Sequence, residues 1–552
     1  MKFVTRPLIM GTHGVVSSGH YLASVVGFNV LMEGGNAVDA GVAMGLALAV
    51  LEPNNYTIGG EAPILIYSAD NRRVYAINGQ GTAPKSATID WFRGRGISLI
   101  PGDGFLPATV PAAFDSWVTA LANFGTLSLS DVLAPAVELA EEGFPVYQSL
   151  HESIKTHSKR FIEEWPTTAR VFLPNGRVPK VGEVLTQQDL AETFKRVIEV
   201  EKKNLHKGRR KALQAARDYF YKGEVARKIV KFIHETEILD ASGMSNKGLL
   251  SLEDFASYTT KIEEPVKTVY RGYTVYKCGP WTQGPVFLQQ LNILEGFDLR
   301  SLGHNSPDYI HIVVETAKLA FADRERYYGD PDFVNVPLDV LLSKEYAKER
   351  RELIDLERAS LEVMPGYADT VTLTDCEDRN KDICFDTTHL DVIDRYGNMV
   401  SATPSGGWIQ SSPLIEGLGF PLGTRGQMFH LNPNHPEALA PRKRPSTTLT
   451  PSLIMKDEKP LMVFGTPGGD QQDQWSLQFF LNFVDFGMNL QEAVDAPTFH
   501  TLHFPSSFYP HEAHPGLVAV EDRITEETRD SLIKRDTGYR LMADGRMGVS
   551  RQ

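Results

Sequence analysis

Small and apolar residues crowd the first third of the chain, and their spacing sets out its first elements. The stretch Ala37–Leu51 is apolar apart from Asp39, and Asn36 just before it can cap a helix. Gly41, Ala43, Gly45, Ala47 and Ala49 leave room for close packing, and Pro53 stops the helix. The stretch falls short of the roughly 20 residues needed to span a bilayer, so it predicts a buried helix. Gly59-Gly60 then leads to a strand-like run, Ile64–Tyr67. Farther on, Ser306-Pro307-Asp308 supplies a cap, a proline at the first helical position and a first-turn acid. The helix predicted there puts Ile310, Val313, Val314, Ala317 and Phe321 on its core face.

From Arg350 to Lys381 the chain is charged and loses periodicity, which predicts an exposed, mobile segment. The pattern then changes. Partial alternation over Thr388–Asp394, a Tyr396-Gly397-Asn398 turn and the run Met399–Thr403 predict a β-hairpin. Leu461–Phe464 reads as a short strand entering Gly465-Thr-Pro-Gly-Gly-Asp470, and Ser476–Phe486 reads as an apolar helix. Helices and strands mixed in this way predict sheets covered by helices.

Composition narrows the function classes. The formal net charge of −13 disfavours nucleic acid and anionic membranes as main partners, because both need a basic footprint. The run His206–Lys211 is basic, but a charge run of this kind predicts a solvated helix face. Three cysteines, Cys278, Cys376 and Cys384, are too few for a disulfide framework and form no CxxC pair. The N-terminus lacks a signal peptide's long apolar region, so a cytoplasmic protein is expected.

The motif search is negative for the common nucleophile elbow, zinc, nucleotide and dinucleotide signatures, so neither metal nor cofactor is expected. His511 and His514 lie between prolines in a loop and read as surface residues. What remains is Asp386-Thr387-Thr388-His389, where the polar segment meets the hairpin. A threonine hydroxyl attacks only with a base beside it. Breaking the bond before Thr387 would release an α-amine, ordinarily of pKa about 7.7, as that base. The other reading is two plain strand threonines, which β-branching favours. Gly468-Gly469 offers a second candidate: consecutive glycines let backbone N–H groups converge on an oxyanion, although an ordinary tight turn explains them too.

Longer segments carry a resemblance. Glu33-Gly-Gly-Asn-Ala-Val-Asp-Ala40, Leu133–Pro145, Leu291–Asp298, Glu315–Arg324, Thr387-Thr-His389, Lys443-Arg-Pro445 and Thr466-Pro-Gly-Gly469 resemble the γ-glutamyltransferase family of N-terminal-nucleophile hydrolases. The resemblance implies an α/β (α+β) fold, a four-layer αββα sandwich. It implies a precursor cut between Asp386 and Thr387 into a large subunit, 1–386, and a small one, 387–552, that remain one intertwined structural domain. A dimer of such pairs is compatible with it. By position, Ser405 matches a hydroxyl that hydrogen-bonds the nucleophile. Thr447 and Thr448 match a pair that binds substrate carboxylate, and Gly468 and Gly469 match the oxyanion hole.

The departures from the family pattern bear on the substrate. The family arginine that clamps a glutamyl α-carboxylate is matched by Gln80, which cannot form that bidentate ion pair. A family asparagine is replaced by Gly407, and an acid that holds the substrate amine falls near His430. Arg425, in the segment Gly423–Phe429 with Gln427, is a candidate replacement cation, as is Arg444; Trp408 is expected to narrow the pocket. These features resemble a divergent branch similar to oxamate amidohydrolase. The expected activity is hydrolysis of an amide in a small carboxylated molecule. The alternatives are a γ-glutamyl transferase or glutathione hydrolase, and a non-catalytic paralogue that binds without processing.

Overall fold

A computed structural model describes residues 4–367, 371–372 and 387–542. The chain divides into two compact units. The larger is built from Thr12–Glu264 and Phe385–Thr447, the smaller from Pro265–Cys384 and Thr448–Val549 with Met1–Gly11. Each unit therefore draws on both sides of residue 387.

The larger unit is organised on a six-stranded sheet in the order Gly14–Ser18, Leu390–Asp394, Met399–Ala402, Ile64–Ser68, Arg73–Asn78, Lys261–Glu263. All neighbours are antiparallel, with Val16 opposite Val392, Val392 opposite Val400 and Val400 opposite Ile66. The predicted hairpin thus occupies two inner strands, and both of its outer edges pair with strands that precede residue 387.

The helix Ala37–Leu51 forms as its sequence predicts. Asn36 and Asp39 cap each other reciprocally, and every residue from Ala37 to Leu51 is buried. Asp39 is tolerated there because Thr126 N, Leu127 N and the Thr126 hydroxyl also donate to it, at 2.8, 3.0 and 2.7 Å. Gly45 is required by a close crossing: a Cβ there would lie 2.3 Å from the Trp117 ring. Trp117 in turn donates its indole N–H to the Tyr56 hydroxyl at 2.8 Å.

The smaller unit holds a four-stranded antiparallel sheet, ordered Lys459–Phe464, Ser452–Lys456, Tyr273–Lys277, Val266–Tyr270. Its core includes Phe287, Leu291, Ile310, Val313, Ile454 and Phe480. The helix Pro307–Tyr327 is capped by Ser306, and all five of its predicted core residues are buried. The helix expected from Ser476 begins earlier, as Gln472–Val484. His206–Lys211 is exposed, as its charge predicts, except at Arg209, which is half-buried and donates to Leu127 O and Leu121 O at 2.8 and 2.7 Å.

One expectation is corrected. The segment from Arg350 does not begin as an exposed coil: Lys344–Arg351 is a helix, and Glu362–Val363 pairs with Val371–Thr372. Arg350 is buried, its guanidinium 3.7 Å from the Asp323 carboxylate and donating to Leu319 O at 3.2 Å. A charge that belongs to a buried pair reads in sequence like a surface charge, and this hid the helix. Positions 368–370 and 373–381 of that segment lie outside the described residues. Cys278 is a buried free thiol. No helix among the described residues is long and apolar enough to cross a membrane.

Candidate active site

Thr387 enters the larger unit at the start of the hairpin, just ahead of the strand Leu390–Asp394. It is 4% exposed, and its backbone bridges Ser405, beyond the second strand. Its Oγ1 lies 3.2 Å from the Ser405 hydroxyl, and Thr388 N donates to Pro404 O at 3.1 Å. Asp386, the other partner of the proposed cut, lies outside the described residues. His389 is held between the Thr403 hydroxyl and Asp391, each at 2.9 Å.

Ser405 is gripped from two directions. Its backbone exchanges hydrogen bonds with Glu61, Glu61 N donating at 2.9 Å and Ser405 N at 3.0 Å. Its hydroxyl accepts from Arg425 Nη2 at 3.2 Å. Arg425 is itself ion-paired with Glu61, its Nε donating to Glu61 Oε1 at 2.6 Å. Both residues are almost fully buried. Burial raises the Glu61 pKa, and the Arg425 charge opposes that rise. The Trp408 ring lies 5.1 Å from the guanidinium carbon, and its indole N–H donates to Asn55 O at 2.8 Å.

This arrangement corrects the sequence expectation for Arg425. It is not an uncommitted cation awaiting a carboxylate, because Nε and Nη2 are given to Glu61 and Ser405. Trp408 packs over that pair. Gln427 donates its amide N–H to Gly102 O and Thr424 O, both at 3.1 Å, and so fastens its own loop. Gly407 has φ of +63°, and a Cβ there would lie 2.3 Å from the Thr57 hydroxyl, which leaves no room for the asparagine of the family pattern.

Gln80 is fully buried, and neither atom of its side-chain amide has a hydrogen-bond partner among the described residues. The Tyr258 hydroxyl donates to its carbonyl at 3.2 Å. Arg444 donates to Thr259 O at 3.2 Å, and its charge opposes the rise that burial imposes on the Tyr258 pKa. Thr447 is buried in the same unit.

Thr448, Gly468 and Gly469 belong to the smaller unit. Thr448 is buried, with no partner for its hydroxyl among the described residues. Gly468 and Gly469 adopt φ of +122° and +56° at the start of the turn leading into Gln472–Val484. At Gly468 a Cβ would sit 2.2 Å from the Trp475 ring, so the turn requires glycine. Asp470 anchors the turn, accepting from Arg324 Nη1 at 2.5 Å and from Ser507 N at 2.9 Å.

Two acids escaped the sequence reading. Glu61 is one. The other is Glu52, 1% exposed at the end of the helix Ala37–Leu51 and beside the Thr388 hydroxyl. Each is a lone carboxylate in an apolar stretch, the only sequence signal available for them. Burial pushes Glu52 up to about 7 from 4.5, opposed by the nearby Thr388 hydroxyl and by the Asn55 amide, which donates to Glu52 Oε1 at 3.4 Å. The unfolded chain ionises it near 4.5 and the folded chain near 7, so it destabilises progressively as pH rises through that window. Glu52→Gln is expected to gain stability relative to wild type across the window, by about 3 kcal/mol. Denaturant unfolding of both proteins at several pH values checks this, and a difference independent of pH contradicts it.

Comparison with known proteins adds independent findings. The family model described as Gamma-glutamyltranspeptidase matches residues 23–551. The glutathione hydrolase-like YwrD proenzyme of Bacillus subtilis (strain 168) is 34% identical, over 96% of this chain and 91% of its own length. The acylase ACY 1 proenzyme of Pseudomonas sp. (strain SE83) is 33% identical, over 97% and 88%. The solved structure of LmbA2991HD aligns with a TM-score of 0.92 at 43% identity, covering 98% of this chain and 94% of that one. The cephalosporin acylase of Bacillus halodurans aligns at 0.82 and 32% identity, covering 99% and 92%. The expected α+β fold of the N-terminal-nucleophile hydrolases is the fold shared with these structures.

Proposed function

We propose that this chain, which belongs to the gamma-glutamyltranspeptidase family, is a proenzyme that cuts itself before Thr387 and then hydrolyses an amide in a small carboxylated substrate. The observation that carries the reading is the buried pair of hydroxyls, Thr387 Oγ1 and Ser405 Oγ, 3.2 Å apart. After the cut, Thr387 supplies both attacking oxygen and base: its α-amine takes the hydroxyl proton as the oxygen attacks, then returns it to the leaving amine. Water resolves the acyl-threonine ester, with the amine again acting as base. Backbone N–H groups would hold the oxyanion in this reading, a role that Gly468 and Gly469 match by resemblance alone.

The names of the relatives support a proenzyme of hydrolytic type. The pairing of strands from before and after residue 387 supports two chains that remain together. For substrate, Gln80 presents an amide without charge, and Gly407 presents no side chain. Both argue against a glutamyl head group clamped as an amino acid. Thr447, Thr448 and Arg444 are then the groups for a substrate carboxylate.

Glutathione hydrolase activity is the competing reading, favoured by relatives that carry that name at 33–34% identity. A panel containing oxamate, other short carboxylated amides and a γ-glutamyl anilide separates the two. The proposal expects ammonia or amine release from the short amides and at least tenfold lower kcat/KM for the anilide. Preference for the anilide, accelerated by a dipeptide acceptor, would establish the competing reading instead.

A further inference from the structure

We infer that Thr403, His389 and Asp391 form a proton relay for self-cleavage, receiving the Thr387 hydroxyl proton before the α-amine exists. The inference rests on the reading of Thr387 as the residue released by the cut. It adds what that reading lacks, a proton acceptor for the cut itself.

The need is chemical. In the uncut chain the Thr387 nitrogen belongs to the scissile amide, and an amide nitrogen has no basic lone pair. The α-amine that serves later turnover therefore cannot start its own release. Attack by Thr387 Oγ1 on the Asp386 carbonyl must send the hydroxyl proton elsewhere. Glu52 stands beside Thr388, and side chains alternate along extended chain, so it lies on the face turned away from Thr387.

The fold supplies acceptors on the other face. Leu390 lies opposite Ala402 and Thr387 opposite Ser405, which sets His389 opposite Thr403. Residues two apart share a face, so Thr387, His389 and Asp391 share one with Ser405 and Thr403. Leu390 and Val400 take the opposite face, toward Gly41 of the buried helix. Successive pairs along the relay's face stand about 7 Å apart at Cα, a gap between side chains that one water spans. Self-cleavage consumes a water at the same place, to hydrolyse its ester.

Donor chemistry gives the relay its direction. A carboxylate only accepts, so Asp391 Oδ2, at 2.9 Å, takes the hydrogen of His389 Nε2. The other nitrogen of a neutral imidazole then carries a lone pair, and His389 Nδ1 accepts from the Thr403 hydroxyl at 2.9 Å. The Thr403 oxygen keeps its lone pairs for a proton arriving from Thr387. Thr403 is fully buried and His389 nearly so.

The steps balance. As the Thr387 oxygen bonds to the Asp386 carbonyl carbon, its proton passes through the water to Thr403, and the Thr403 proton passes to His389 Nδ1. The Asp391 carboxylate stabilises the imidazolium. When the carbon–nitrogen bond breaks, a proton returns by the same path to the Thr387 nitrogen, leaving an ester on the threonine oxygen and a free amine. Water then hydrolyses the ester to the Asp386 carboxylate and the Thr387 hydroxyl.

The test follows self-cleavage of the full chain after cell-free synthesis, by electrophoresis of the 387–552 fragment against time and pH. His389→Gln and Thr403→Val are each expected to slow the cut roughly 100-fold or more, the scale of general base catalysis. Thr403→Ser, which keeps the hydroxyl, should cut close to the wild-type rate. Asp391→Asn should slow the cut roughly tenfold or more, because the imidazole loses the charge that fixes its tautomer. The wild-type rate should fall on the acid side, where a protonated His389 accepts nothing more, and that limb should vanish in His389→Gln. Asp391 faces His389 directly, the Glu61–Arg425 ion pair lies beside Ser405 one pair along, and Glu52 lies beside Thr388. A limb set by any of these would survive His389→Gln.

Melting of the uncut variants is compared with the Thr387→Ala chain. Should His389→Gln or Thr403→Val melt well below it, His389→Asn or Thr403→Ala takes its place with the same expectation. Cutting at the wild-type rate without the histidine, an acid limb that outlasts it, or Thr403→Ser as slow as Thr403→Val overturns the relay. A wild-type chain that is not cut before Thr387 overturns the underlying reading instead.

Discussion

Thr387→Ala is expected to yield a single uncut chain of 61.3 kDa whose amide turnover is lower by on the order of 10⁴-fold or more. The effect is large because, in the proposed mechanism, one residue holds two offices. Alanine removes the attacking oxygen for self-cleavage, and without cleavage the α-amine is never released. Ser405 does not make good the loss, because it is bound to Glu61 through its backbone and to Arg425 through its side chain. Thr387→Ser should process and retain measurable activity, since hydroxyl and amine both persist. Electrophoresis for the cut and a kcat/KM ratio for turnover read the two losses separately. Turnover by Thr387→Ala within tenfold of wild type contradicts the assignment.

Asp115→Ala is expected to destabilise the protein by about 3–5 kcal/mol, the cost of leaving one partner of a buried ion pair alone. Asp115 is 1% exposed and accepts from Arg217 Nε at 2.5 Å and Nη2 at 3.0 Å. It also accepts from Thr260 N at 2.8 Å. Arg217 passes this support on, donating to Tyr258 O at 2.6 Å, and the Tyr258 hydroxyl donates to Gln80 O. The substitution should therefore lower the denaturant midpoint and also raise KM, because the wall around Gln80 loses its brace. Asp115→Asn, which keeps the acceptor oxygen but no charge, should fall between. A midpoint for Asp115→Ala within experimental error of wild type contradicts this account of the wall.

The fold was most legible where local signals agreed with burial. Asn36 with Asp39, and Ser306 with Pro307, mark helix starts through capping chemistry that acts within a few residues, and both helices form there. The hairpin around Gly397 was legible because a turn and two strands need only neighbours in sequence. Interactions between distant residues were not legible. Arg425 looked like a spare cation because its partner, Glu61, stands 364 positions earlier. Arg350 looked like a surface charge because the Asp323 carboxylate that receives it is presented by another helix. Thr387 stood in sequence as a candidate beside the plain reading of a strand threonine, and Ser405 was singled out by resemblance; only the folded sheet brings their hydroxyls together.

The central claim is that a bond is cut so that one threonine becomes both attacker and base. Intact mass and N-terminal sequencing of purified protein, denatured after prolonged incubation, test it most directly. The account predicts two chains, the shorter beginning Thr-Thr-His-Leu at residue 387. Active protein that stays a single chain through residue 387, or a cut at any other position, contradicts it.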